Sequence, residues 1–120
     1  VTIATDVGGG TSLSMLATLA EAYKVCHMQG YSLHPYEAFY MATLGNASAV
    51  HLDQYVGNFV TGKEADFIVL DPASTPIVKR RVSQCHNLAE ELFVYMILGD
   101  DRSVERTYCH GVERYNKKTS

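Results

Sequence analysis

Residues 1–12 read VTIATDVGGGTS, and this stretch decides how the N-terminal part of the chain is expected to fold. Five mostly β-branched or apolar residues precede a single acid, Asp6, and three consecutive glycines follow at positions 8–10. A continuous apolar run of this kind is typical of a strand buried on both faces, as in a parallel sheet. Thr11 or Ser12 then stands where a side chain can cap a helix. The stretch therefore predicts strand, glycine-rich turn and helix, which is half of a βα unit.

The helical pattern continues from this turn to Gly30, which is placed to end the first helix. Pro35 suits the start of a second helix, which continues to Gly45, and residues 46–52 predict a short third one. The apolar positions that indicate the first helix recur at helical spacing and are Leu13, Leu16, Leu19 or Ala20, Tyr23 and Cys26.

The sequence changes character near Asp53, where we predict a boundary between two parts of the chain. ADFIVLDP, residues 65–72, predicts a strand with a turn behind it, and Pro72 and Pro76 bracket a loop. A third main helix is expected over residues 87–98.

Gly99 is placed to end that helix, and the C-terminal VERTYCHGVERY predicts two short strands joined at His110 and Gly111. The first part of the chain is thus expected to be α/β, and the second mostly β with one helix.

Composition limits the classes of function. The 120 residues amount to about one domain, and a chain that starts at Val1 suggests a fragment or a processed product. The net charge of −3 gives no electrostatic case for nucleic acid. No apolar run approaches the ~18 residues of a membrane span, and no signal peptide is expected. Three widely spaced cysteines indicate a reducing, cytoplasmic setting rather than a disulfide framework.

Asp6 is the first candidate for chemistry. A carboxylate at the C-terminal end of a parallel strand, followed by a flexible loop, lies where α/β barrels and open sheets keep catalytic groups. The glycines after it would let the backbone pass close to a ligand. The alternative is that Asp6 only caps the turn. A phosphate-binding loop is not supported, because neither the lysine nor the spacing of a P-loop is present.

Other polar clusters are weaker candidates. Three cysteines are each followed directly by a histidine, but structural zinc ligands are usually separated by two to four residues, so a shared metal site is not favoured. Asp100, Asp101 and Arg102 follow a predicted helix end and could act in catalysis. Acids after such a glycine more often bond local backbone amides while the arginine pairs with one of them.

Four segments in order resemble the C-terminal part of the guanine deaminase family, within the amidohydrolase superfamily. They are TDVGGGTSLSMLATLAEAYKV, FYMATLGNASAV, VGNFVTGKEADFIVLDP and LGDDRSVERTYCHG, and the resemblance spans about residues 1–115. The third segment is common among amidohydrolases. The pairing of TDVGGGTS with LGDDR is the more specific signal.

The resemblance implies an α/β fold class, namely the C-terminal fragment of a metal-dependent (β/α)8 TIM-barrel hydrolase with part of its small β-sandwich domain. It implies zinc-dependent hydrolysis of guanine to xanthine and ammonia, with one Zn²⁺ per active site, in a cytoplasmic homodimer. Asp6 matches the acid that ends the last barrel strand, contacts the metal and shuttles protons. The glycines at positions 8–10 would line the mouth of the pocket.

Residues 1–52 would then supply the last strand and outer helices of the barrel, and residues 53–120 much of the small domain with a packing helix. The other metal ligands of the family, including an HxH pair, are absent from this chain, so we expect the fragment alone to be inactive. The strand at residues 1–5 would lack neighbours on both edges. Two alternatives stay open: another purine or triazine aminohydrolase of the superfamily, or a non-catalytic truncated interaction module.

Overall fold

The computed structural model describes all 120 residues. No helix in it combines the length and apolar character needed to cross a membrane. In chain order its elements are α1 (Met15–Met28), α2 (Pro35–Ala42), α3 (Leu44–Ala49), β1 (Phe67–Leu70), α4 (Pro76–Val82), α5 (Leu88–Leu98), a 3-10 helix (Asp101–Ser103), β2 (Val104–Cys109) and β3 (Val112–Asn116).

The predicted strand at residues 1–5 does not form. A strand needs a partner for its backbone N–H and C=O groups, and the only sheet of the chain is formed by β1, β2 and β3. Ile3 alone among these residues is buried, whereas Val1 is fully exposed. The strand prediction is therefore wrong for this chain, because the neighbours that such a strand requires are not among its 120 residues.

The first helix is confirmed, but it starts later than predicted. Ser14 caps α1, and its Oγ accepts a hydrogen bond of 3.3 Å from the Ala17 N–H, so neither Thr11 nor Ser12 is the cap. Ser12 Oγ instead accepts a hydrogen bond from the Ser14 N–H. Gly30, with a φ of +81°, follows the end of the helix as predicted.

The next two helices form with shifted ends. Pro35 lies in the first turn of α2. His34, which precedes it, caps the helix, and its Nδ1 accepts a hydrogen bond from the Tyr36 N–H. α2 ends before Gly45, which lies inside α3. α3 is shorter than the predicted helix over residues 46–52 and starts two residues earlier.

α4 was not predicted, since only a loop was expected around Pro76. Thr75 Oγ1 accepts a hydrogen bond from the Val78 N–H, and Pro76 occupies the first turn, which together form a regular helix start. Lys79, Arg80 and Arg81 fall in the last turn, where positive charge interacts favourably with the helix dipole. The second part of the chain therefore has two helices rather than one.

The remaining elements match the predictions closely. Asn87 caps α5 and Gly99 ends it. The antiparallel sheet has the order β1-β2-β3, with β2 and β3 joined at His110 and Gly111. Both turn residues have positive φ, +52° and +75°, as a tight type I′ hairpin turn requires.

Two apolar clusters form the core, and α5 contributes to both of them. One buries Ile3 with residues of α1, α2 and α5, and the other buries Leu16 with residues of α4 and α5. α5 thus packs against helices from both sides of the boundary predicted near Asp53. The division into residues 1–52 and 53–120 stays a prediction.

Candidate active site at Asp6

Asp6 lies in a tight turn with its side chain exposed. Its φ of +49° is in the left-handed region, which aspartate tolerates better than most residues. The Asp6 carbonyl oxygen accepts hydrogen bonds from the N–H groups of Gly9 at 2.9 Å and Gly10 at 2.6 Å. The backbone of Asp6 therefore closes the turn.

The glycines are needed for this close approach. A Cβ at Gly10 would press directly on the Thr5 carbonyl oxygen, and one at Gly9 would lie 2.7 Å from Asp6 Oδ2. Gly10 thus excludes a side chain because the chain folds back onto the Thr5 backbone, whereas a Cβ at Gly9 would require the Asp6 carboxylate to move. The prediction that the glycines let the backbone pass close to a ligand stays a prediction.

The Asp6 carboxylate takes no part in the hydrogen bonding of the turn. None of the hydrogen bonds of the chain involves its side-chain oxygens, and the turn is closed by the carbonyl of the same residue. Asp6 therefore closes the turn through its backbone carbonyl, in line with the alternative interpretation, while its carboxylate has no partner within the chain. A carboxylate held by a constrained backbone and free of protein partners can serve as a ligand or a proton carrier.

The segment before Asp6 is held by an unexpected partner, Asn46 of α3. The Ile3 N–H donates to Asn46 Oδ1 at 2.9 Å, and Asn46 Nδ2 donates to the Ile3 carbonyl oxygen at 2.7 Å. Asn46 is half-buried. Sequence reasoning missed this contact, since an asparagine in a short helix carries no signal for a bond 43 positions away.

The chain does not contain a metal centre by itself. No group of three histidine, cysteine, aspartate or glutamate side chains lies close enough to hold an ion. The three cysteines are free, with Cys26 in α1, Cys85 after α4 and Cys109 at the end of β2, so the adjacent Cys-His pairs do not converge. Asp6 is the single predicted ligand, and one carboxylate does not fit the coordination of zinc.

The cluster after α5 has the structural role favoured by the sequence. Asp100 Oδ1 accepts a hydrogen bond of 2.9 Å from the Arg102 N–H, and Arg102 Nη2 donates to Asp100 Oδ2 at 2.6 Å. The hydrogen bonds from the Arg102 guanidinium lower the pKa of Asp100 most, and the hydrogen bond from the Arg102 backbone N–H lowers it further. The Ser103 hydroxyl, which is buried, accepts from the Asp100 N–H and completes a capping box.

The C-terminal lysines do not form a frayed end. Lys117 Nζ donates hydrogen bonds to Asp71 Oδ2 at 2.7 Å and to the Arg102 carbonyl oxygen at 2.9 Å. Lys118 Nζ lies 3.3 Å from Glu105 Oε1. These contacts tie the C-terminal segment to the sheet, because β3 carries the two lysines back to the end of β1.

The chain is similar in sequence and structure to known guanine deaminases. Over 111 residues the chain is 54% identical to guanine deaminase of Escherichia coli strain K12, a match that covers 92% of this chain and 25% of that protein. The solved structure of E. coli guanine deaminase superimposes with a TM-score of 0.94 and 52% identity, covering 97% of this chain and 27% of the other.

A second solved structure is guanine deaminase from C. acetobutylicum with guanine bound in its active site. It has a TM-score of 0.72 and 26% identity, and it covers 95% of this chain and 27% of the other. The chain spans about a quarter of the length of these relatives. The α/β fragment predicted from the sequence is confirmed by these superpositions, and residues 1–114 match the amidohydrolase family. The chain therefore belongs to the amidohydrolase family.

Proposed function

We propose that this chain is the C-terminal part of a guanine deaminase, and that the whole protein hydrolyses guanine to xanthine and ammonia. The observation that carries the proposal is the similarity to guanine deaminases along nearly the whole chain, at 54% identity. The match to the amidohydrolase family over residues 1–114 includes the turn in which Asp6 is held and the LGDDR cluster, the two features with the most specific sequence signal.

Asp6 is the residue of this chain that we assign to catalysis. Deamination adds water to the carbon that bears the amino group and releases ammonia, so protons must leave the water and reach the leaving nitrogen. A carboxylate can accept and return such protons if its position is fixed. The Asp6 side chain is exposed and forms no hydrogen bond within the chain, and its backbone is held by Gly9 and Gly10.

We also propose Zn²⁺ as the cofactor of the whole protein, with Asp6 as the one ligand that this chain offers. The remaining ligands must come from outside these 120 residues, because no three candidate ligands of the chain lie close enough together to hold an ion. The isolated chain is therefore expected to be inactive.

The distribution of apolar surface supports a larger protein around this chain. Val1, Val7, Leu13 and Phe59 are each at least three-quarters exposed, and the first three flank the predicted site. We take the exposed apolar residues beside the Asp6 turn as a surface that other parts of the whole protein cover. We propose that residues 1–52 end a (β/α)8 barrel, that residues 53–120 belong to a small β-sandwich domain, and that the protein is a cytoplasmic homodimer.

The test is activity of the longest reading frame that contains this chain. We expect xanthine formation from guanine, detected by absorbance, and bound zinc detected by elemental analysis. Asp6→Asn should keep the circular dichroism spectrum and lose most turnover. Near-normal turnover in that variant would remove Asp6 from the mechanism.

Two controls separate the alternatives. A substrate panel of adenine, other purines and triazines on the same protein would identify a different aminohydrolase. The 120-residue chain alone, assayed with added zinc, should form no xanthine, and measurable turnover there would contradict the need for outside ligands. A reading frame without further metal-ligating histidines would favour a non-catalytic module.

A further inference from the structure

Core packing does not account for the hydrogen bonds between the Asn46 side chain and the Ile3 backbone. Ile3 already buries its side chain in the cluster that includes Leu19 and Met96. Its backbone is nevertheless held at both polar groups by a side chain 43 positions away. No other hydrogen bond of the chain reaches residues 1–5, so Asn46 supplies every hydrogen bond to the backbone before Asp6.

The geometry makes Asn46 a substitute for one residue of a neighbouring strand. An asparagine side chain offers one amide donor and one carbonyl acceptor. In a sheet, a strand residue meets the same pair of groups on its neighbour. Asn46 thus occupies one edge of the segment at Ile3.

The helix that carries Asn46 is itself well supported. Gly57 lies so close to α3 that a Cβ there would be 2.9 Å from Leu44 Cα and 3.1 Å from the Ala47 side chain. Ala47, next to Asn46, is buried. A functional group is positioned best when its supporting residues are rigid, and α3 meets that condition.

We propose that Asn46 is a positioning residue that sets the location of the Asp6 carboxylate. Asp6 lies three residues beyond Ile3, between the Asn46 contact on one side and the turn at Gly9 and Gly10 on the other. Without Asn46 the backbone at Ile3 loses both its hydrogen-bond partners, and the segment before Asp6 is held only by the packing of the Ile3 side chain. The inference rests on the proposed function, since it requires Asp6 to act in catalysis.

The experiment uses the longest reading frame that contains this chain, with guanine as substrate. Asn46→Ala should lower kcat per folded enzyme by about 10- to 100-fold, because a small displacement of a catalytic group has effects of that size. KM should stay within about threefold, since substrate binding is not altered. Hydrogen exchange of the peptide covering residues 2–6 should become faster.

Two control variants isolate positioning from general stability. Ser48→Ala changes a residue of the same helix whose side chain forms no hydrogen bond, and it should leave kcat unchanged. Val78→Ala opens a cavity in the fully buried cluster of α4 and α5 and should lower the melting temperature while leaving kcat per folded enzyme unchanged. Should Asn46→Ala not fold, Asn46→Asp keeps the acceptor for the Ile3 N–H, loses the donor to its carbonyl, and is judged by the same criteria.

The outcomes distinguish this inference from the proposed function. A kcat for Asn46→Ala within twofold of the Ser48→Ala value, or a higher KM at unchanged kcat, would overturn the positioning role while guanine deamination stands. An Asp6→Asn variant with normal kcat would overturn the assignment of Asp6, and the role of Asn46 with it. Loss of kcat in Asn46→Ala with normal kcat in Val78→Ala supports the inference.

Discussion

Lys117 Nζ lies 2.7 Å from Asp71 Oδ2 and joins the C-terminal segment to the residue that follows β1. The Lys117 hydrogen bond, together with one from the Ala73 N–H, lowers the pKa of Asp71. The Asp71 N–H in turn donates to the Ser103 carbonyl oxygen. The end of β1, the LGDDR turn and the C-terminal segment therefore share one polar network.

We expect Lys117→Met to reduce the free energy of unfolding of the chain by about 1 kcal/mol, because the pair is partly exposed and screened by solvent. The effect should depend on pH. A carboxyl whose folded-state pKa is lowered stabilises the fold fully above its unfolded-state pKa, near 3.8, and loses this contribution as pH falls through the lower folded-state pKa. Urea unfolding followed by circular dichroism would measure the effect of Lys117→Met on the free energy of unfolding at pH 7 and at pH 3.

The matched control for this pair is Lys24→Met, which removes an ion pair to Glu21 on the exposed surface of α1. It should change stability by less than about 0.5 kcal/mol. Equal effects of the two substitutions, or a Lys117→Met effect that does not shrink at low pH, would mean that the ion pair with the Asp71 carboxylate does not stabilise the fold as predicted.

Met96 provides a prediction for the core. It is fully buried in α5 and packs in the cluster around Ile3. Met96→Ala should destabilise the chain by about 2–5 kcal/mol, because it removes buried apolar contacts and leaves a cavity. Leu88→Ala, on the same helix but 58% exposed, should cost less than about 1 kcal/mol. Similar midpoints in urea for both variants would mean that α5 is not packed as described.

Local signals explain which helices could be predicted. Apolar residues recur at helical spacing in α1 and α2, and α5 is apolar along most of its length. A proline, an asparagine or a glycine marks one or both ends of each of these helices. The hairpin turn at His110 and Gly111 is likewise a short-range feature. α4 was missed because three basic residues interrupt its apolar pattern, although Thr75 and Pro76 form a regular helix start.

Features that depend on distant residues could not be predicted in the same way. The apolar run at residues 1–5 has the composition of a strand, but pairing requires neighbours that the chain does not contain. The Asn46 contact with Ile3 joins positions 43 apart, and no local pattern encodes it. Asp6 was singled out by its position before the glycines, and its catalytic role stays a prediction.

The LGDDR turn allows a test between a structural and a catalytic role. Asp100→Ala removes the acceptor for the Arg102 N–H and should lower the stability of the chain by about 1 kcal/mol, as loss of a cap does. In the whole protein, Asp100→Ala and Asp101→Ala should both keep kcat on guanine within about twofold, because neither side chain is assigned a contact with the reacting atoms. A large loss of kcat at an unchanged melting temperature would instead assign catalysis to this cluster.

Gly10 and Gly8 offer the sharpest test of the turn that holds Asp6. A Cβ at Gly10 runs into the Thr5 carbonyl oxygen, so Gly10→Ala must move the backbone on both sides of Asp6. Gly8, with a φ of +98°, has open space around it, and Gly8→Ala costs only the left-handed strain of about 1–2 kcal/mol. In the whole protein we expect Gly10→Ala to lower kcat about 100-fold or more, and Gly8→Ala to lower it far less. Steady-state xanthine formation by both variants measures this, and an equal or reversed order would mean that the close approach at Gly10 does not position Asp6.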